Sequence, residues 1–157
     1  MDKMIILKSI ISPESIAEMV VEEYGFRGPL KCNLIKAGGS NDIYEIINNN
    51  KKYIVKIYSH RECWPYDLYH YLFEVELQNY LSNCGLSIPK PITNLKNSLV
   101  NIVSAPEYDK YYVVYTFLKG KVCEYKSLDP ETFFLMGKRL AQLHHTSQNF
   151  QPSTCTK

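Results

Sequence analysis

Ile16, Met19, Val20 and Tyr24 recur at three- and four-residue steps, the spacing that gathers apolar side chains on one helical face. Ser12 and Pro13 suit an N-cap and a first helical position, with Glu14 in the first turn and Gly25 as the C-terminal cap. Together they predict a helix from about Pro13 to Tyr24. The period then shortens to two. Leu30 to Ala37 reads as a strand, Gly38 to Asp42 as a turn, and Ile43 to Ile47 as a second strand. Asn48-Asn49-Asn50 is a hairpin connection, because Asn tolerates the left-handed backbone such turns need. Tyr53 to Ser59 is a third strand, with Tyr53, Val55 and Ile57 on one face and Ile54, Lys56 and Tyr58 on the other.

Helical spacing returns from about Tyr66 to Asn83, where Phe73, Leu77, Tyr80, Leu81 and Cys84 form the predicted apolar stripe and Gly85 ends the run. Ile88-Pro89-Lys90-Pro91 is an extended connection, since each proline pushes its predecessor out of the helical region. Ser98 to Val103 and Tyr111 to Phe117 are two further strands around a turn at Pro106 to Lys110. Lys119 to Ser127 is polar and linker-like. Asp129-Pro130-Glu131 then starts another helix, with Phe133, Met136, Leu140 and Leu143 as its stripe. Thr146 to Lys157 has no periodicity and is expected to be mobile. The predicted fold is α+β, a five-stranded antiparallel sheet with a long helix. Neither internal repeats nor low-complexity tracts occur.

Composition narrows the function classes. The 157 residues suit one domain, and 45% apolar with 22% charged residues is ordinary for a globular core. A net charge of +2 without a basic block argues against a nucleic-acid partner. Met1 to Ile11 is apolar but interrupted by Lys8, and reads as neither a signal peptide nor a membrane span. Cys32, Cys63, Cys84, Cys123 and Cys155 never stand at C-x-x-C spacing, so a zinc or redox motif is not indicated. Their scatter suits a reducing, cytoplasmic setting.

One constellation carries chemistry. Gly38-Gly39-Ser40 lets a hairpin backbone approach a phosphate closely, because no side chain obstructs it. Lys56, one hairpin later, supplies a point charge, and a helical carboxylate, Glu74 or Glu76, would anchor it. Each part alone is commonplace: strand lysines are mostly surface residues, Gly-Gly is mostly a turn, and helical glutamates are mostly solvated. Their joint order and spacing give them weight. His144-His145 does not make a metal site, since adjacent helical residues diverge by about 100°. Trp64-Pro65-Tyr66 is either a ligand lid or an aromatic packing segment.

These residues resemble the N-terminal lobe of the aminoglycoside phosphotransferase superfamily, which includes choline kinase-like enzymes and has a protein-kinase-like fold. The resemblance runs through Ala37 to Ile46, Tyr53 to Tyr58, Glu74 to Leu77 with Leu81, and Gly85 to Pro91. Tyr112 to Gly120 resembles the hinge strand, and Met136 to His144 the first helix beyond it. By resemblance, Lys56 contacts the α- and β-phosphates of ATP, Glu74 pairs with it, and Glu76 is the fallback. Gly39, Ser40 and Asn41 form the phosphate loop. Tyr115 backs the adenine pocket, and the backbone at Thr116 and Leu118 bonds the adenine.

Family members also carry a catalytic H-x-D segment and a later metal-binding aspartate. None of His60, His70, His144 and His145 is followed two residues later by Asp. The resemblance therefore implies three regions: a nucleotide-binding lobe at 1–118, a hinge at 119–128, and a first C-terminal-lobe helix with a tail at 129–157. ATP with Mg²⁺ is the implied cofactor, with the metal ligands outside this chain, and no catalytic residue is assigned. A small-molecule hydroxyl would be the acceptor in a longer enzyme. The alternative is a non-catalytic binding module, self-associating through apolar surface at Phe133, Phe134, Met136 and Leu140.

Overall fold

The computed structural model describes residues 8–37, 41–58, 68–120 and 129–153. Helix α1 spans Pro13–Tyr24, as predicted. The Ser12 side chain accepts from the Ser15 amide, and Gly25 closes the helix at φ 66°, a left-handed backbone that glycine adopts without strain.

Three strands follow: β1 (Leu30–Ala37), β2 (Asn41–Asn48) and β3 (Lys51–Tyr58). Asn49 and Asn50 at φ 47° and 65° make the hairpin turn between β2 and β3. Helix α2 spans Leu68–Asn83, β4 Pro91–Ile92, β5 Asn101–Val103, β6 Lys110–Thr116 and α3 Pro130–Ser147. All pairings are antiparallel, in the order β1-β2-β3-β6-β4, with β5 also on β6. The α+β class stands, with six strands rather than five. The extra strand is the proline-flanked pair Pro91–Ile92, which sits on an edge where a missing N–H is tolerated.

The sheet separates two cores. Ile16 and Val20 of α1 meet Tyr44, Ile46, Val55, Ile57, Tyr112 and Val114 on one face. Tyr71 and Val75 of α2 meet Tyr58, Val113 and Tyr115 on the other. The alternation predicted for β3 is therefore the observed one.

Two expectations are corrected. The buried residues of α2 are Tyr71, Val75 and Leu81, whereas Phe73 and Cys84 of the predicted stripe are exposed. Apolar residues surround this helix on nearly every side, so spacing alone could not choose the inward face. The second concerns 146–153, expected to be mobile. Helix α3 runs on to Ser147, and Phe150 and Ser153 then pack against α2. The glycine turn at 38–40, Trp64-Pro65-Tyr66, most of the linker at 121–128 and the end of the tail lie outside the described residues.

Candidate functional site

Strand alternation turns Lys56 toward α2. Its Nζ lies 2.7 Å from Glu74 Oε1 and 4.2 Å from the centre of the Tyr58 ring. The two side chains are 21% and 37% exposed. An ion pair this wet adds at most about 1 kcal/mol to stability. Its consequence is geometric: Glu74 fixes where the ammonium sits. Glu76, two positions on, is rotated by about 200° around the helix and cannot share that role. Its carboxylate accepts from the Ser153 amide at 3.0 Å and from the Ser153 hydroxyl.

Lys56 lies at the wall of a cleft of about 290 Å³. Ile43 of β2, Ile54 of β3, Gln78 of α2, Pro89 and Tyr115 to Leu118 line it with Lys56. That volume is at the small end of the roughly 300–1,000 Å³ typical of ligand sites, and the mostly apolar lining with a few polar groups is also typical.

The end of β6 presents backbone to this space. The Thr116 amide donates to the Lys90 carbonyl at 2.8 Å, and the Phe117 amide to the Lys52 carbonyl at 3.3 Å. The Lys90 amide, however, donates to Thr116 Oγ1 at 3.0 Å rather than to its carbonyl. The edge pairing thus spends the Thr116 N–H and does not claim its acceptor.

Among the described residues, three buried side-chain atoms near the ion pair have no hydrogen-bond partner: Tyr58 OH, Tyr115 OH and Gln78 Oε1. The Tyr58 hydroxyl lies near both the Tyr115 hydroxyl and the Glu74 carboxylate without a well-formed bond to either. Burial first, then the nearby Tyr115 and Glu74, push the Tyr58 phenol far above its ordinary value. Burial also raises Tyr115, with Glu74 adding to it. Both stay protonated and neutral. Buried polar atoms left unpaired are costly, on the order of 1–3 kcal/mol each, so such a cluster marks where water or a ligand completes the site.

The predicted residues are therefore partly assembled. Lys56, Tyr115, Thr116 and Leu118 line one cleft, and Glu74 anchors Lys56. Asn41 opens β2 and pairs with Tyr58, two places along β3 from Lys56. Gly39 and Ser40 lie outside the described residues. Gln78 was missed, although it stands four residues after Glu74 and so on the same helical face. Among the described residues no three His, Cys, Asp or Glu side chains group to hold a metal. No helix there is long and apolar enough to cross a membrane.

Comparison with known proteins decides the family. The model of the phosphotransferase enzyme family matches residues 31–154. The chain belongs to that family. An uncharacterised protein of Synechocystis sp. is 30% identical over 145 residues, 92% of this chain and 39% of its own length. The solved amicoumacin kinase, in complex with AMP-PNP, Ca²⁺ and its drug, superposes with a TM-score of 0.72 at 19% identity, over 91% of this chain and 42% of that one. Spectinomycin phosphotransferase, in complex with ADP and spectinomycin, gives 0.62 at 21% identity, over 88% and 39%. At these identities the solved structures establish a kinase-like fold. This family member spans about two fifths of the length of those relatives.

Proposed function

We propose that this chain holds the nucleotide for a small-molecule kinase, one that passes the γ-phosphoryl group of ATP to a hydroxyl of a small polar acceptor. The observation that carries the reading is the Lys56–Glu74 pair, 2.7 Å apart, at the wall of an apolar cleft closed by the end of β6. Family membership and the nucleotide complexes of the fold's relatives agree with it.

In this reading Ile43, Ile54, Pro89 and Leu118 sandwich the adenine. The Thr116 carbonyl accepts from its exocyclic amine, and the Leu118 amide donates to the ring. Lys56 Nζ carries the phosphate charge, and Gly39, Ser40 and Asn41 offer backbone donors above it. Glu74 keeps the ammonium aimed. Bound Mg²⁺ would neutralise phosphate charge, and its ligands are assigned to parts of a longer protein. The H-x-D pattern is not among these 157 residues, so the chain alone binds nucleotide without transferring phosphate.

Titration calorimetry with ATP tests this. The native chain should bind, Lys56→Ala should bind more weakly, and neither should release ADP with added alcohols. Absence of any binding by the native chain would sink the reading.

A specific observation supports a second one. Phe133, Phe134, Met136 and Leu140 of α3 are each more than half exposed. Apolar surface of that extent invites a partner or a second copy. Light scattering showing a clean monomer at high concentration removes the motive for self-association.

A further inference from the structure

Helix α2 has a face that neither the sheet core nor the cleft uses. Phe73, Glu76 and Tyr80 recur at three- and four-residue steps along it, away from buried Tyr71, Val75 and Leu81. The segment after α3 lies on that face. The Phe150 ring centre is 5.8 Å from that of Phe73 and 5.4 Å from that of Tyr80. Three residues on, the Ser153 amide donates to Glu76 Oε2 at 3.0 Å, and its hydroxyl donates to Oε1. Both oxygens of Glu76 are thus held by one residue from the far side of the β6 exit.

These contacts grip the helix that delivers Glu74 to Lys56. The wet Lys56–Glu74 pair is too weak to set the position of a 16-residue helix. The sheet core fixes how deep α2 lies, while the aromatic triad and the bidentate Glu76 fix the opposite side. We propose that Phe150 to Ser153 is a clasp on α2 that governs whether Glu74 reaches Lys56. It makes Glu76, Phe150 and Ser153 positioning residues of the nucleotide site. The proposal rests on the nucleotide reading above. It means that whatever moves the segment after α3, such as acceptor binding, is felt at the phosphate-holding lysine.

The test compares Phe150→Ala and the conservative Phe150→Tyr, each in the native and the Glu74→Ala backgrounds, on the 157-residue chain. ATP affinity and amide hydrogen exchange are both read. Phe150→Ala should weaken ATP binding on the order of tenfold, and Phe150→Tyr should restore most of it. The loss should vanish in the Glu74→Ala background. Amides of α2 should exchange faster in Phe150→Ala, while those of β1 and β2 stay unchanged. An equal loss in both backgrounds overturns the clasp and leaves simple packing. Unchanged exchange in α2 overturns it as well. Should the native chain bind no ATP, the nucleotide reading falls, and the exchange result alone still decides for or against the clasp.

Discussion

The two faces of the sheet treat polar groups in opposite ways. Among the described residues, the buried tyrosines of the α1 side, Tyr44 and Tyr112, and the half-buried Tyr24 have hydroxyl partners. Tyr44 donates to the Ile11 carbonyl at 2.6 Å, Tyr112 donates to the Glu23 carboxylate, and Tyr24 accepts from Asn101 at 2.9 Å. Even a fully buried charge is satisfied there. Lys110 Nζ lies 2.6 Å from the Ser9 carbonyl and 2.9 Å from Glu107 Oε1. On the α2 side, Tyr58, Tyr115 and Gln78 keep buried polar atoms without partners among the described residues, beside a lysine 21% exposed. A stable core completes its own hydrogen bonds, and a binding site leaves some for its ligand. The difference sets a core that completes its own hydrogen bonds against one that also borders the cleft proposed above for a nucleotide.

Substitutions can break that contrast. The largest effect is expected at Lys110. Lys110→Ala removes the charge that balances the Glu107 carboxylate, only 4% exposed, and leaves it the Ser9 amide and hydroxyl alone; it should lower stability by roughly 3–5 kcal/mol in urea unfolding. Nucleotide affinity of the folded fraction should not change. Lys56→Ala should do the reverse. Its stability should shift by less than about 1 kcal/mol. Its ATP affinity should fall by roughly 10- to 100-fold, the value of a hydrogen bond to a charged group.

Burial works to raise the Glu107 pKa, but bonds from Ser9 and Lys110 together outweigh it and lower the value from 4.5 to about 2. A carboxylate depressed in the folded state stabilises fully above its unfolded pKa. That contribution should therefore drain away as pH falls from 4.5 toward about 2. Glu107→Gln should be less stable at neutral pH and show a shallower acid slope.

The smallest effects lie in the tyrosines. Tyr44→Phe discards a made hydrogen bond and should cost about 1 kcal/mol. Tyr58→Phe loses no well-formed bond, only the approach of its hydroxyl to Glu74 and Tyr115, and should cost less than Tyr44→Phe in thermal unfolding. Equal costs at the two positions would remove the distinction between the faces.

Much of this was legible in the sequence because local chemistry set it. Ser12, Pro13 and Gly25 marked both ends of α1 through capping, and the alternation of β3 placed Lys56 opposite Val55 and Ile57. Other parts depended on contacts distant along the chain. The inward face of α2 was hidden because its apolar residues lie on all sides, and Phe73 and Tyr80 turned out to serve Phe150. From the residues alone Glu74 and Glu76 were both candidates; the resemblance favoured Glu74, and the Glu74 carboxylate is the one that meets Lys56. Gln78 carried no signal beyond its four-residue step from Glu74, and a polar residue in a helix is ordinarily solvated. Segment 146–153 gave no period because a handful of residues after a helix is too short to show one.

In the proposed reading, Lys56 faces the phosphates of a bound nucleotide. An acyl-phosphate derivative of ATP, which transfers its acyl group to an amine held beside the phosphates, tests it directly when the labelled peptide is found by mass spectrometry. Lys56 should be acylated ahead of the exposed Lys51, Lys52 and Lys119, and excess ATP should protect it. Labelling spread over the surface lysines, with Lys56 unmodified or unprotected by ATP, would contradict it.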